Sequence, residues 1–311
     1  MKYEIVKDSA KKDSDSNKSD NDKRDKSLDI LVEEPKWSLP EIALSEDTIE
    51  QIEEMIVYVQ KRDKLLHEWQ FSRFLKAGSG LSVNFFGSPG TGKSITAEAI
   101  AKKLGMSIIR ANYGEIESSL VGGTSENLAR IFKLAEDTKS LLFFDEADAV
   151  LSRRISNLSQ AADHGVNSAK STLLTLLDKF NGIIVFATNL FDNYDEAFLR
   201  RIIFNVEFLP PDYDMRIQLW KFHLAESVPR VVSYESLASI SDDLSGGDIK
   251  NITIKLGLKL LTEKINSIDE PTVEELIEKY KNVKARQKLY KSIDIGQTTD
   301  TIKEENHLNG I

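Results

Sequence analysis

The segment that most restricts how this chain can fold is Gly87-Ser88-Pro89-Gly90-Thr91-Gly92-Lys93-Ser94. It fits G-x-x-x-x-G-K-[ST] in full, with a β-rich run, Val83 to Phe86, before it and a helical run, Ile95 to Leu104, after it. Glycines allow tight backbone geometry that turns several N–H groups onto phosphate oxygens. The start of the following helix adds positive potential. Lys93 is placed to neutralise charge on the β- and γ-phosphates, and the Ser94 hydroxyl is a hard oxygen ligand for Mg²⁺.

The surrounding pattern agrees with a strand–loop–helix unit. Short β-rich runs alternate with helical stretches: Val83 to Phe86, Ser107 to Arg110, Leu141 to Phe144, Ile183 to Ala187 and Asn205 to Phe208. Alternation predicts an α/β fold, a three-layer αβα sandwich around a parallel five-stranded sheet. The nearly continuous apolar runs fit strands buried on both faces. A helix over 46–62, with Ile49, Ile52, Ile56 and Val59 on one face, is expected ahead of the sheet, and order from Pro35-Lys36-Trp37. Pro210-Pro211 ends the sheet domain. Helices then follow over about 214–226 and 247–265, and from Thr272 with Glu275 completing a capping box. The expected organisation is a charged disordered tail over 1–34, a nucleotide-binding domain over 35–211, an all-helical lid over 212–288 and a flexible tail over 289–311.

The tail expectation rests on composition. Residues 7–27 hold seven basic and six acidic residues, with Ala10 the only apolar one. Such a segment cannot bury enough surface to offset its ordering entropy. It reads as a solvated tether, one that could dock an adaptor. The net charge of −9 argues against a nucleic-acid groove. With no cysteine, disulfides, zinc ribbons and thiol catalysis are excluded. No apolar run approaches the ~20 residues of a membrane helix, and the expectation is a cytoplasmic protein without a membrane partner. His67, His164, His223 and His307 share no ligand spacing, and Trp37, Trp69 and Trp220 read as packing residues.

A second motif narrows the chemistry. Leu141 to Phe144 leads into Asp145-Glu146, two carboxylates at a strand's carboxyl end, where sheet ligands bind. Asp145 is expected to hold Mg²⁺, and Glu146 to orient and polarise an attacking water. Asp148 could support this pair or cap a helix. Asn189, after the strand Ile183 to Ala187, could sense a γ-phosphate by hydrogen bond.

Taken together these segments resemble the AAA family, over about residues 35–285. GSPGTGKS is similar to its phosphate loop, FFDEADAV to its Asp-Glu strand and FATN to its first sensor. Asp195-Glu196-Ala197-Phe198-Leu199-Arg200-Arg201 resembles its arginine-finger segment, and Leu244-Ser245-Gly246-Gly247-Asp248-Ile249 its lid turn. The resemblance implies an ATP hydrolase that uses ATP and Mg²⁺ in a homo-hexameric ring, with active sites between subunits. Arg200 and Arg201 would then reach a neighbour's γ-phosphate. Gly246 and Gly247 would admit the adenine and ribose, and Ile42 would pack against the base. Ile95 completes the nucleotide-binding set. Leu120 and Val121, in Ser118 to Gly123, stand in the central-pore loop that would grip a threaded or remodelled protein. Leu120 departs from the usual aromatic there, and Ile202 from the usual Phe after the arginines. Two alternatives stay open: a dedicated remodeller of a HORMA-domain signalling protein, of checkpoint or bacterial defence type, and a nucleic-acid loader or ATP-dependent switch.

Overall fold

The computed structural model describes residues 30–73, 80–112, 114, 116, 123–151, 161–189 and 194–286. The charged stretch over 7–27, the Leu120-Val121 loop, His307 and the tail from Ser292 lie outside them. The chain divides into two compact units, Met1–Pro210 and Pro211–Ile311.

The first unit is built on a sheet. Its strands are β1 (Val32–Glu33), β2 (Leu81–Gly87), β3 (Ile108–Asn112), β4 (Leu141–Asp145), β5 (Ile183–Thr188) and β6 (Phe204–Phe208), in the order β1-β3-β4-β5-β2-β6. All five predicted strands are present and parallel. A sixth was not foreseen: β1 is two residues long and pairs antiparallel to β3, Val32 opposite Ile109. Ordered backbone therefore begins before Pro35. Two residues are too few to show a periodicity, and only pairing with β3 makes them a strand.

Alternation along the strands fills both faces. Leu142, Phe144, Ile184 and Phe186 pack beneath α3 (Thr124–Thr138) and α5 (Ala161–Leu177). Leu141, Phe143, Val83, Phe85 and Val185 pack on the other face against α1 (Glu46–Gln60) and α2 (Lys93–Lys103). Every residue from Leu141 to Phe144 is fully buried, which explains the continuous apolar run. In α1 the buried face is Ile52, Met55 and Ile56, while Ile49, expected on it, lies exposed. Trp69 is also exposed, with the Lys64 ammonium 5.8 Å from its ring, so it is not a packing residue. Two short helices, α4 (Asp148–Leu151) and α6 (Glu196–Leu199), follow the ends of β4 and β5.

The second unit is helical: α7 (Tyr213–His223), α8 (Tyr234–Ile240), α9 (Gly246–Leu261) and α10 over 270–286. Trp220 is fully buried at its centre among Leu237, Ile249, Ile252 and Leu256, and its indole N–H donates to Ser241 Oγ at 2.9 Å. Helix α10 starts two residues earlier than Thr272. Its cap is Asp269, which accepts from the Thr272 N–H at 3.1 Å, and Pro271 sits within the first turn, where a missing N–H is harmless.

Candidate active site

The sheet order brings the sequence-predicted residues to one edge. Strand β5 lies between β2 and β4, so the ends of the three strands adjoin. Asn189 follows Thr188, which pairs with Phe86, the residue before the loop.

In the loop, Gly87, Gly90 and Gly92 have φ of 137°, 79° and 104°. These conformations suit glycine. At Gly87 space is decisive as well, since a Cβ would sit 2.2 Å from the Phe208 carbonyl oxygen. Ser88, Pro89 and Gly90 are exposed, and Thr91 Oγ1 donates to Ser88 O at 2.8 Å. A Cβ on Gly92 would lie 3.8 Å from both Ile42 and Ile95, so these two side chains flank the loop where it enters α2.

Lys93 is buried at the start of α2. Its ammonium donates to the carbonyls of Gly87 and Ser88 at 2.7 and 2.9 Å and to Asn189 Oδ1 at 3.0 Å. Burial pulls its pKa down, with Asp145 and Asp148 opposing. A buried cation held chiefly by neutral oxygens fits an anionic ligand, which would offset the desolvation. Ser94 Oγ lies 3.4 Å from Asp145 Oδ2, a hydroxyl–carboxylate pair suited to a hard cation. No group of three or more metal-ligating side chains occurs among the described residues.

Glu146 is exposed and has φ of 51°, the left-handed region, although it is not glycine. Its N–H donates to Asp145 Oδ1 at 3.0 Å. Strain of this kind commonly accompanies function. Asn112, at the end of β3, directs its amide to Glu146 Oε2 at 3.5 Å. Sequence reasoning missed Asn112 because the predicted strand stopped at Arg110, two residues short. Asp148 opens α4 and accepts from Thr188 Oγ1, so it ties the segment after β4 to the end of β5.

The two arginines differ. Arg201 makes a bidentate pair with Asp178 at 2.7 and 2.8 Å and donates to Ala197 O at 2.8 Å. Arg200 is exposed, and among the described residues its one ion pair is an i,i+4 contact with an equally exposed Glu196, at 3.5 Å. Their segment is anchored from within: the Asp195 N–H donates to Leu151 O at 2.9 Å, and buried Tyr194 donates to Asn84 Oδ1 at 3.2 Å. Gly246 and Gly247 open α9 in the second unit as a first helical turn capped by Ser245, without positive φ, so they form no open turn.

A parallel sheet whose strand ends gather a glycine loop, a buried lysine, a hydroxyl and a carboxylate pair defines a P-loop nucleotide-binding domain. Residues 83–210 match the family described as "ATPase family associated with various cellular activities (AAA)". Residues 83–210 therefore carry a domain of that family.

Relatives extend the likeness. The 26S proteasome regulatory subunit 7 homolog B of Arabidopsis thaliana is 30% identical over 252 residues, 76% of this chain and 52% of that protein. The proteasome-activating nucleotidase of Methanococcus vannielii is 31% identical over 191 residues, 58% of this chain and 46% of that protein. The one from Saccharolobus islandicus is 27% identical over 256 residues, 80% and 63% respectively. The chain thus spans about half to just under two thirds of these relatives. No described helix is long and apolar enough to cross a membrane.

Proposed function

We propose that this protein is an ATP-dependent protein-remodelling ATPase that works as a homo-hexameric ring. The observation that carries the reading is the convergence of Lys93, Ser94, Asp145 and Asn189 at three adjoining strand ends. The relatives named for the proteasome favour a protein over a nucleic acid as the object of the work.

Ser94 and Asp145 would hold Mg²⁺, which when bound neutralises charge on the phosphates. Lys93 exchanges its carbonyl partners for phosphate oxygens. Glu146 accepts the proton of the attacking water and aligns it, while Asn112 restrains the carboxylate. Asn189 donates to the γ-phosphate once Lys93 turns towards it. Arg200, exposed and with an equally exposed ion-pair partner, is the arginine available to a neighbouring copy, where its charge would meet that of the transition state. Arg201 braces the segment through Asp178.

Two variants test this. Glu146→Gln should bind ATP and trap rings while losing turnover by at least about 10²-fold. Mixing it with Arg200→Ala should restore partial hydrolysis if sites are shared between chains. Full ATPase activity in a strictly monomeric preparation would rule out the ring.

A further inference from the structure

Glu98 lies on α2 five residues beyond Lys93, buried at 5% exposure, and the nucleotide chemistry does not use it. It serves the segment that crosses α2 on the way from β1 to α1. One carboxylate oxygen accepts from the Lys36 and Trp37 N–H groups, at 2.5 and 3.3 Å. The other is paired with Arg110 of β3, which also meets Glu33 of β1 at 3.5 Å. Lys102, one turn further along α2, donates to Lys36 O at 2.7 Å. Trp37 and Leu39 pack on the core face that includes Ala97 and Ile100. The same segment ends at Ile42, buried beside Gly92 and Ile95. One helix therefore carries both the phosphate-binding residues and the anchor of the strap that delivers Ile42.

We infer that Glu98 is a positioning residue for nucleotide binding: it pins the strap over 36–42 to α2 and so sets the apolar wall that Ile42 offers to the nucleoside. Glu98 is buried, so its carboxylate cannot release these two N–H groups without losing charge-assisted bonds that water would not readily replace, and the anchor is strong. The inference rests on the ATP-binding reading above.

Binding of ATP, ADP and inorganic tripolyphosphate to the full chain, by calorimetry with Mg²⁺, tests it. Glu98→Ala should raise Kd for ATP and ADP about tenfold. Tripolyphosphate, which lacks a nucleoside, should bind unchanged. Combining Glu98→Ala with Ile42→Ala should weaken ATP binding no further than Ile42→Ala alone, because both act through one wall. Should Glu98→Ala not fold, Glu98→Gln carries the test; glutamine keeps one acceptor but loses the charge, and Kd should rise about threefold. A folded variant with lowered Tm and unaltered nucleotide affinity would overturn the inference, as would an equal loss for tripolyphosphate. Tripolyphosphate and ATP both failing to bind the wild-type chain would instead sink the nucleotide reading and this inference with it.

Discussion

Single residues at this site are set by what surrounds them more than by their type. Lys93 is buried against carbonyls, so replacing it should remove binding as well as catalysis. Lys93→Ala is expected to raise Kd for ATP by at least about 10²-fold, measured by equilibrium titration. The arginines separate along another axis. Arg200→Ala removes an exposed side chain whose ion pair is solvent-screened, so thermal unfolding should not move while ATPase activity falls steeply. Arg201→Ala breaks a bidentate pair that is itself partly screened by solvent. It should cost about 1 kcal/mol and lower Tm by about 2–4 °C in calorimetry. Both residues were legible as a pair in the sequence. Their inequality was not, because Asp178 lies twenty-three positions away on the turn after α5.

Elements hold these residues through a few points of close approach. Where β2 meets the loop, Gly87 faces the Phe208 carbonyl of β6. Gly87→Ala should cost at least about 2 kcal/mol in denaturant unfolding, because backbone must move to admit a methyl group. In the helical unit, Asp248 is the knot between α9 and α10. It accepts from the Ser245 N–H at 3.0 Å, from Tyr280 Oη at 2.9 Å and from the Lys284 ammonium at 2.5 Å. Burial pushes its carboxyl up, but Lys284, Ser245 and Tyr280 together hold it below the usual value. A depressed folded-state pKa stabilises above the unfolded value of about 3.9, and the gain is lost as pH falls through the folded value. Asp248→Asn should therefore be less stable by about 1.5–3 kcal/mol at pH 7, and the gap to wild type should narrow below about pH 4. Equal gaps at pH 7 and pH 3 would remove the charge from the explanation. Sequence reading expected a helix from about residue 247, at the Gly246-Gly247 lid turn, and the helix begins one residue earlier, at Gly246. The Ser245–Asp248 capping box fixes that helix start.

For the molecule as a whole, the sheet unit and the helical unit each close a separate core, so the phosphate loop, Asp145 and Asn189 belong to one folded body. The ring is the feature the proposed mechanism adds. Native mass spectrometry with ATP and the Glu146→Gln chain should show a hexamer, and a species that stays monomeric at micromolar concentration would contradict it. The amino-acid sequence alone determined the strand–loop–helix unit, the five parallel strands, the Asp-Glu pair and the helical second unit. Each is written in neighbouring residues, through periodicity, glycine spacing and turn chemistry, and needs no distant partner to be recognised. Tertiary structure alone decided that β5 lies between β2 and β4, that Asn112 faces Glu146, that Asp178 engages Arg201 and that Glu98 holds the strap. These pairings join positions far apart in the chain, and they exist only once sheet order and helix packing have brought two buried faces together. A charged or amide side chain looks the same in a sequence whether its partner is water or another residue.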